Sequence, residues 1–374
     1  MTRPISFCIA AVLLLGLPLL GVWLAGLPVS QYTEFPPLAI YRVAAPFSTT
    51  AAIVIFATQV PLWLPVIAIT LRFQVSGFRF QRLPRWGWIA LAWTGTWWII
   101  AWTRLPCFAP IQRHTFTPLW LGYITFVNAL TFARSGRCMM TQEPRRLMRL
   151  FAASGFFWWF FEYLNRFVQN WFYVGIENFG RFEYFIFATL AFSTVLPAVI
   201  STAEMLDAFT PANALAFTAR RPPAGATEPR RIAAKILGGA QLLLGCLALT
   251  SIGIWPDYFF PFLWLAPLFI LTSLKALRGE ETIFSPAARG DWRRLAVLSL
   301  AALICGFFWE MWNFHSLAKW QYLVPFVGVW KVFEMPLLGF AGYLPFGWEC
   351  AVIADALARR PPISATVAVP VVPS

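Results

Sequence analysis

The chain has 374 residues, of which 59% are hydrophobic, 18% aromatic and only 12% charged. That much apolar surface exceeds what a soluble core can hide, so the composition excludes an ordinary soluble protein and implies an all-α, polytopic bundle of transmembrane helices. The formal net charge of +13 would fit a polyanion ligand only if the basic residues clustered, and they do not.

Crossing a bilayer takes roughly 20 apolar residues. Such runs are expected near 5–27, 51–71, 86–102, 115–133, 148–165, 183–206, 233–254, 258–275, 295–312 and 333–357, about ten helices in all. The third is short, and Pro336 and Pro345 divide the last into a re-entrant piece and a span. With a cytoplasmic N-terminus, the Lys and Arg expected outside are Arg42, Arg104, Arg113, Arg166, Arg181, Lys319 and Lys331; the other 22 of the 29 fall inside. This is the positive-inside bias repeated loop by loop. It accounts for the basic balance without nucleic acid and implies a multi-pass protein of the cell (inner) membrane, both termini cytoplasmic. Arg3 and the run after it resemble a secretory signal, but the apolar stretch is too long for a signal core and reads as an uncleaved first helix.

The first two helices, within residues 1–82, have no later counterpart. Their Pro-rich connector carries Tyr32, Glu34, Phe35 and Arg42 and reads as a packed interfacial loop. Beyond it, a four-helix unit at 83–209 is expected to recur at 230–357, the two joined by a Pro, Ala and Arg-rich cytoplasmic linker at 210–229 and followed by a disordered tail at 358–374. The repeat rests on ordered motif pairs 148 to 151 residues apart. Glu162-x-x-Asn165 answers Glu310-x-x-Asn313, and Trp171-x-Tyr173 answers Trp320-x-Tyr322. Phe182-Glu183, Leu196-Pro197 and Asp207-Ala208 likewise answer Phe333-Glu334, Leu344-Pro345 and Asp355-Ala356. Agreement of order and spacing is what makes a duplication. An even number of spans per unit would relate the copies by a two-fold axis along the membrane normal.

A charge inside a span costs about 2.5 to 3.5 kcal/mol, so the acids near the outer helix ends carry the functional signal. Glu162 and Asn165, and Glu310 and Asn313, sit three apart on one helix face that should turn inward, for interhelical bonding or for a site. Glu183 and Glu334 are expected in the first turns of the sixth and tenth helices, where the helix dipole favours a carboxylate. Trp309, Trp320, Tyr322, Lys319, Trp171 and Tyr173 are candidate substrate contacts, although interfacial anchoring explains such aromatics equally well. His315 and Lys319 stand near the second copy where the first has Arg166 and Glu177, and this favours the second copy for chemistry.

Six cysteines and two histidines offer no disulfide pair, no metal-ligand spacing and no haem-attachment motif. No phosphate loop or nucleophile elbow occurs. Thus no metal is expected, no cofactor or oligomeric state is named, and the expected partners are membrane lipids and a hydrophobic small molecule. The order of aromatic, glycine and carboxylate positions resembles the membrane-type lycopene cyclases, through aromatic patterns that assign no residue a role. Three readings remain. The first is a membrane enzyme acting on a lipid or isoprenoid, with Glu310, Asn313, Glu334, His315, Glu162, Asn165 and Glu183 as the catalytic set; two acids in one low-dielectric site repel, so one keeps a proton it can donate. The others are a secondary transporter or channel using the same acids as a relay, and a non-catalytic assembly partner.

Overall fold

The computed structural model describes residues 3–37, 42–72, 83–211, 214 and 228–358. The expected linker and tail lie almost wholly outside the described residues. The chain is mostly helical, in the order α1 (Arg3–Leu24), α2 (Thr49–Thr70), α3 (Arg85–Trp102), α4 (Phe116–Ser135), α5 (Met139–Gln142), α6 (Pro144–Val168), α7 (Arg181–Phe192), α8 (Val195–Phe209), α9 (Glu228–Ile254), α10 (Pro256–Phe259), α11 (Phe262–Leu277), α12 (Ser285–Ala288), α13 (Arg293–Phe314) and α14 (Tyr343–Leu357). Among the described residues, seven helical segments are long and apolar enough to cross a membrane, with α7 and α8 together making one of them. Helices α3, α6 and α11 fall short by hydropathy, charge or length, α11 being 16 residues.

Local chemistry sets several boundaries. Pro144 occupies the first turn of α6, where its missing N–H costs nothing, and Gln169 ends that helix in the left-handed region at φ 45°. Ser48 caps α2 through its side chain. The apolar run 181–209 is not one helix, because Pro197 cannot donate in the first turn of α8. Ser154 on α6 stitches this break, its hydroxyl donating to Phe192 O at 2.6 Å and accepting from Leu196 N at 3.0 Å.

Helix α13 is the centre of the bundle, buried along most of its length and packed by α14, α8 and α2. The packing pairs elements of the two halves alike. Helix α3 lies on α4 as α9 lies on α11, α4 lies on α8 as α11 lies on α14, and α8 touches α13 as α14 touches α6. Helix α1 packs on α9, and α2 on α13. Large apolar side chains such as Phe7, Trp23, Ile53, Phe56, Ile89, Ile236 and Leu237 are exposed on the outer helices, the surface a lipid environment would cover. The close approach of α14 to α13 depends on Gly347, where a Cβ would lie 2.2 Å from Leu298 O.

Two short antiparallel ribbons cover the end where α6 and α13 finish. In the first, β1 (Trp171–Val174) pairs with β2 (Lys319–Tyr322). In the second, β3 (Lys331–Val332) pairs with β4 (Met335–Pro336), and a 3₁₀ turn over Leu337–Gly342 leads into α14. Glu334 therefore sits in the hairpin turn between β3 and β4 rather than in the first turn of a helix. The 3₁₀ turn passes directly into α14, and together they make one segment, Leu337–Leu357, long and apolar enough to cross a membrane. At the opposite end, Arg294 donates to Asp355 at 2.7 Å and Arg146 to Glu204 at 2.9 Å, while Arg293 pairs with Asp207.

Candidate functional site

The site is assembled where α6 and α13 turn into β1 and β2. Each turn is held by an asparagine. Asn165 donates to Trp171 O at 2.7 Å and accepts from Asn170 N at 2.8 Å. Asn313 donates to Trp320 O at 2.8 Å and accepts from Trp320 N at 2.9 Å. Both amides are thus engaged by main chain, and their role is to fix the ribbon strands over the helix ends.

That placement brings the Trp-x-Tyr residues onto the glutamates. Glu162 is 4% exposed, and its Oε1 accepts from Trp158 Nε1 at 2.9 Å, Trp171 Nε1 at 3.0 Å and Tyr173 Oη at 2.6 Å. Glu310 is 0% exposed; its Oε1 accepts from Tyr322 Oη and Tyr343 Oη, each at 2.7 Å, and Trp320 Nε1 donates to Tyr322 Oη at 2.9 Å. Glu310 Oε2 has no partner of good hydrogen-bond geometry among the described residues. Burial pushes the phenols of Tyr173 and Tyr322 well above their usual range, with the neighbouring carboxyls adding to the effect, so both stay hydroxyls and donors.

The two arrangements differ in their indoles: Trp171 donates to Glu162 itself whereas Trp320 donates to Tyr322, and the helices differ one turn before the glutamate. Trp158 lies one turn before Glu162, and the residue one turn before Glu310 is Gly306. A Cβ at Gly306 would fall 2.4 Å from the Tyr343 ring. The missing side chain is what lets the Tyr343 ring lie against α13, where its phenol replaces the indole that α6 supplies to Glu162.

One cavity of about 410 Å³ runs beneath the ribbon. Its walls include Trp158, Trp171, Tyr173, Trp264, Trp309, Trp320, Tyr322, Tyr343 and Phe346, with Arg113 and Lys319 as its cations. All six expected substrate contacts, Trp309, Trp320, Tyr322, Lys319, Trp171 and Tyr173, therefore line one space. The two glutamates are not among its lining residues; each lies one hydrogen bond behind a tyrosine that is. Glu162 instead lines a second, small cavity of about 20 Å³ with Asn165, Arg166 and Gln169.

The remaining expected residues lie outside this arrangement. Glu334 is bound by Lys319 Nζ at 2.7 Å, and the same ammonium donates to Phe314 O at 3.1 Å. Glu183 is exposed in the first turn of α7. His315 is exposed, packed edge-on to Trp102 with ring centroids 4.9 Å apart. His114 stacks on Phe187 at 3.9 Å between centroids, and burial holds its imidazole below the usual histidine range. Among the described residues no group of three or more His, Cys, Asp or Glu is placed to hold a metal ion.

Three functional candidates escaped the sequence reading. Trp158 was accessible to it, being four residues before Glu162 on the same face. Tyr343 was not, because only the fold carries it to Glu310. Glu349 reads in sequence as part of an apolar helix; it is 4% exposed in the middle of α14, with neither carboxyl oxygen in good hydrogen-bond geometry among the described residues and the Leu268 backbone nearby. The chain matches no known family model, no characterised protein and no solved structure.

Proposed function

We propose that this chain is a multi-pass integral membrane enzyme that takes a lipid or isoprenoid into the aromatic cavity and acts on it by general acid and base catalysis. In this reading ten segments span the cell membrane, residues 83–209 and 230–357 are copies of one four-helix unit, both termini are cytoplasmic, and the ribbon faces outward. The seven apolar helices support the membrane setting. The alike packing of the halves and the paired motifs support the duplication.

The observation that carries the reading is the coupling of two buried carboxyls to one apolar cavity through tyrosine hydroxyls. Glu162, with three donors on one oxygen, is arranged to receive a proton through Tyr173. Glu310 accepts from Tyr322 and Tyr343 on one oxygen; once protonated it would donate to one of these phenol oxygens as that phenol passes its own proton to the bound molecule. The indole and phenyl faces around the cavity favour positive charge on a bound substrate, and their area holds its hydrocarbon.

The test is a comparison of lipid extracts by mass spectrometry from a deletion strain complemented with the parent chain, Glu310→Gln, Glu162→Gln or both. Gln keeps the volume and most hydrogen bonds but exchanges no proton near neutral pH. Each single variant should insert normally and lower conversion by about 100- to 10,000-fold. Full conversion in the double variant would leave only a structural role for the pair. Glu349 favours a second reading, a transporter with a proton or ion relay, because a buried carboxyl at mid-helix marks such paths. Substrate-dependent proton movement across proteoliposomes, with no change in the substrate, would select it.

A further inference from the structure

Resting on the enzyme reading above, we infer that the two carboxyls are unequal: Glu162 exchanges protons with outside water through its own small port, whereas Glu310 is sealed from water. The port is the cavity of about 20 Å³ bounded by Glu162, Asn165, Arg166, Gln169 and Pro37, room for about one water with several polar groups to hold it. Its outer edge belongs to the connector after α1, where Glu34 is exposed and lies 3.7 Å from Arg166. Tyr173 and Trp171 line both this port and the large cavity. They form the wall between them, and Glu162 stands on the water side of it. Both carboxyls are buried, but Glu310 lines neither space.

The port gives Glu162 a complete proton path. A proton leaving a cavity ligand passes to Tyr173 Oη as the tyrosine's own proton passes to Glu162 Oε1, 2.6 Å away. Glu162 then hands one proton to the port water, which passes it to bulk. One proton leaves the ligand and one reaches the medium, with no change of oxidation state. The charged and titratable groups facing Glu162 are Arg166 on its own helix, Tyr173 on β1 and Tyr184 on α7, with Glu34 beyond Arg166. This assigns proton exchange with the medium to the first copy, whereas the charged residues beside the second copy pointed the other way.

A pH jump on the full chain in lipid nanodiscs, followed by time-resolved infrared absorption of the carboxyl groups, tests the asymmetry without any substrate. Bands are assigned by difference with Glu162→Gln and Glu310→Gln, and by the band shifts of Glu162→Asp and Glu310→Asp if a Gln variant does not fold. The Glu162 band should follow the medium within mixing, and the Glu310 band should lag by roughly tenfold or more. Gln169→Leu, which removes a polar wall of the port, should slow Glu162 by a similar factor and leave Glu310 unchanged. Equal rates, a faster Glu310, no Glu162 response across the tolerated pH range, or no effect of Gln169→Leu would overturn the port. Loss of conversion in Glu310→Gln with equal exchange rates would sink the port and spare the enzyme reading; unequal rates with full conversion would do the reverse.

Discussion

Phe172 and Gln321 sit opposite each other at the centre of the β1–β2 ribbon, and the pairs on either side are exchanged versions of one another, Trp171 with Tyr322 and Tyr173 with Trp320. Equivalent residues of the two motifs thus meet at a local two-fold point. An antiparallel pair has such an axis through each directly opposed pair of residues, which is how the two Trp-x-Tyr strands close over one cavity while each keeps its Tyr on its own glutamate.

That register predicts a cross-link. Phe172→Cys with Gln321→Cys should form a disulfide under mild oxidation, because directly opposed residues in an antiparallel pair lie about 4.5 to 5.5 Å apart at Cα, within the range a disulfide spans. Phe172→Cys with Lys319→Cys, two residues out of register, should not. Equal cross-linking of both, read by the gel shift of a chain cleaved between the halves, would contradict the pairing.

Orientation is open to labelling. In intact cells an impermeant thiol reagent should modify Cys107, which is exposed between α3 and α4. Cys138 is buried, so its protection says nothing about sidedness. Arg137→Cys, at an exposed position beside it, should stay unlabelled until the membrane is permeabilised. Labelling of Arg137→Cys in intact cells would invert the topology and put the ribbon inside.

Gly306 predicts a substitution effect out of proportion to its size. Gly306→Ala puts a methyl into the space of the Tyr343 ring and should displace the phenol from Glu310 Oε1, at a cost of about 1 to 3 kcal/mol in stability. In the enzyme reading its conversion should fall to that of Tyr343→Phe. The two changes remove the same contact, so the double variant should be no worse than the worse single one, as measured by conversion and thermal midpoint. Simple additivity would mean that Gly306 matters only for packing.

Glu349 predicts the opposite sign. A buried carboxyl without a well-made hydrogen bond costs about 1 to 3 kcal/mol, and Met fills similar volume without that penalty. Glu349→Met should therefore raise the thermal midpoint of the detergent-solubilised protein and leave conversion intact. Stabilisation together with loss of function would mark Glu349 as part of the working machinery and favour the relay reading.

The sequence by itself determined the class and much of the candidate site. A helix crossing lipid must satisfy its backbone internally and be apolar over a fixed length, so composition and run length located the main helices. The three-residue spacing of Glu162 with Asn165 and of Glu310 with Asn313 fixed which residues share a helix face. The recurring order of Trp171, Tyr173, Trp320 and Tyr322 marked these residues as a pair of motifs, but not that they form a ribbon. Only the tertiary structure decided what those residues touch. Helical periodicity carries no information about a partner on another element, so Tyr343, 33 residues from Glu310 in sequence, could not be assigned to it. Charge placement could not tell that Glu334 closes on Lys319 while His315 turns to solvent. Nor could it tell that Asn165 and Asn313 spend their amides on backbone, because the strands they hold form only when the helix ends meet. That both glutamates stand behind tyrosines rather than in the large cavity, and that Glu162 adjoins a water-sized space, follows from side-chain direction and packing, which one-dimensional spacing does not contain.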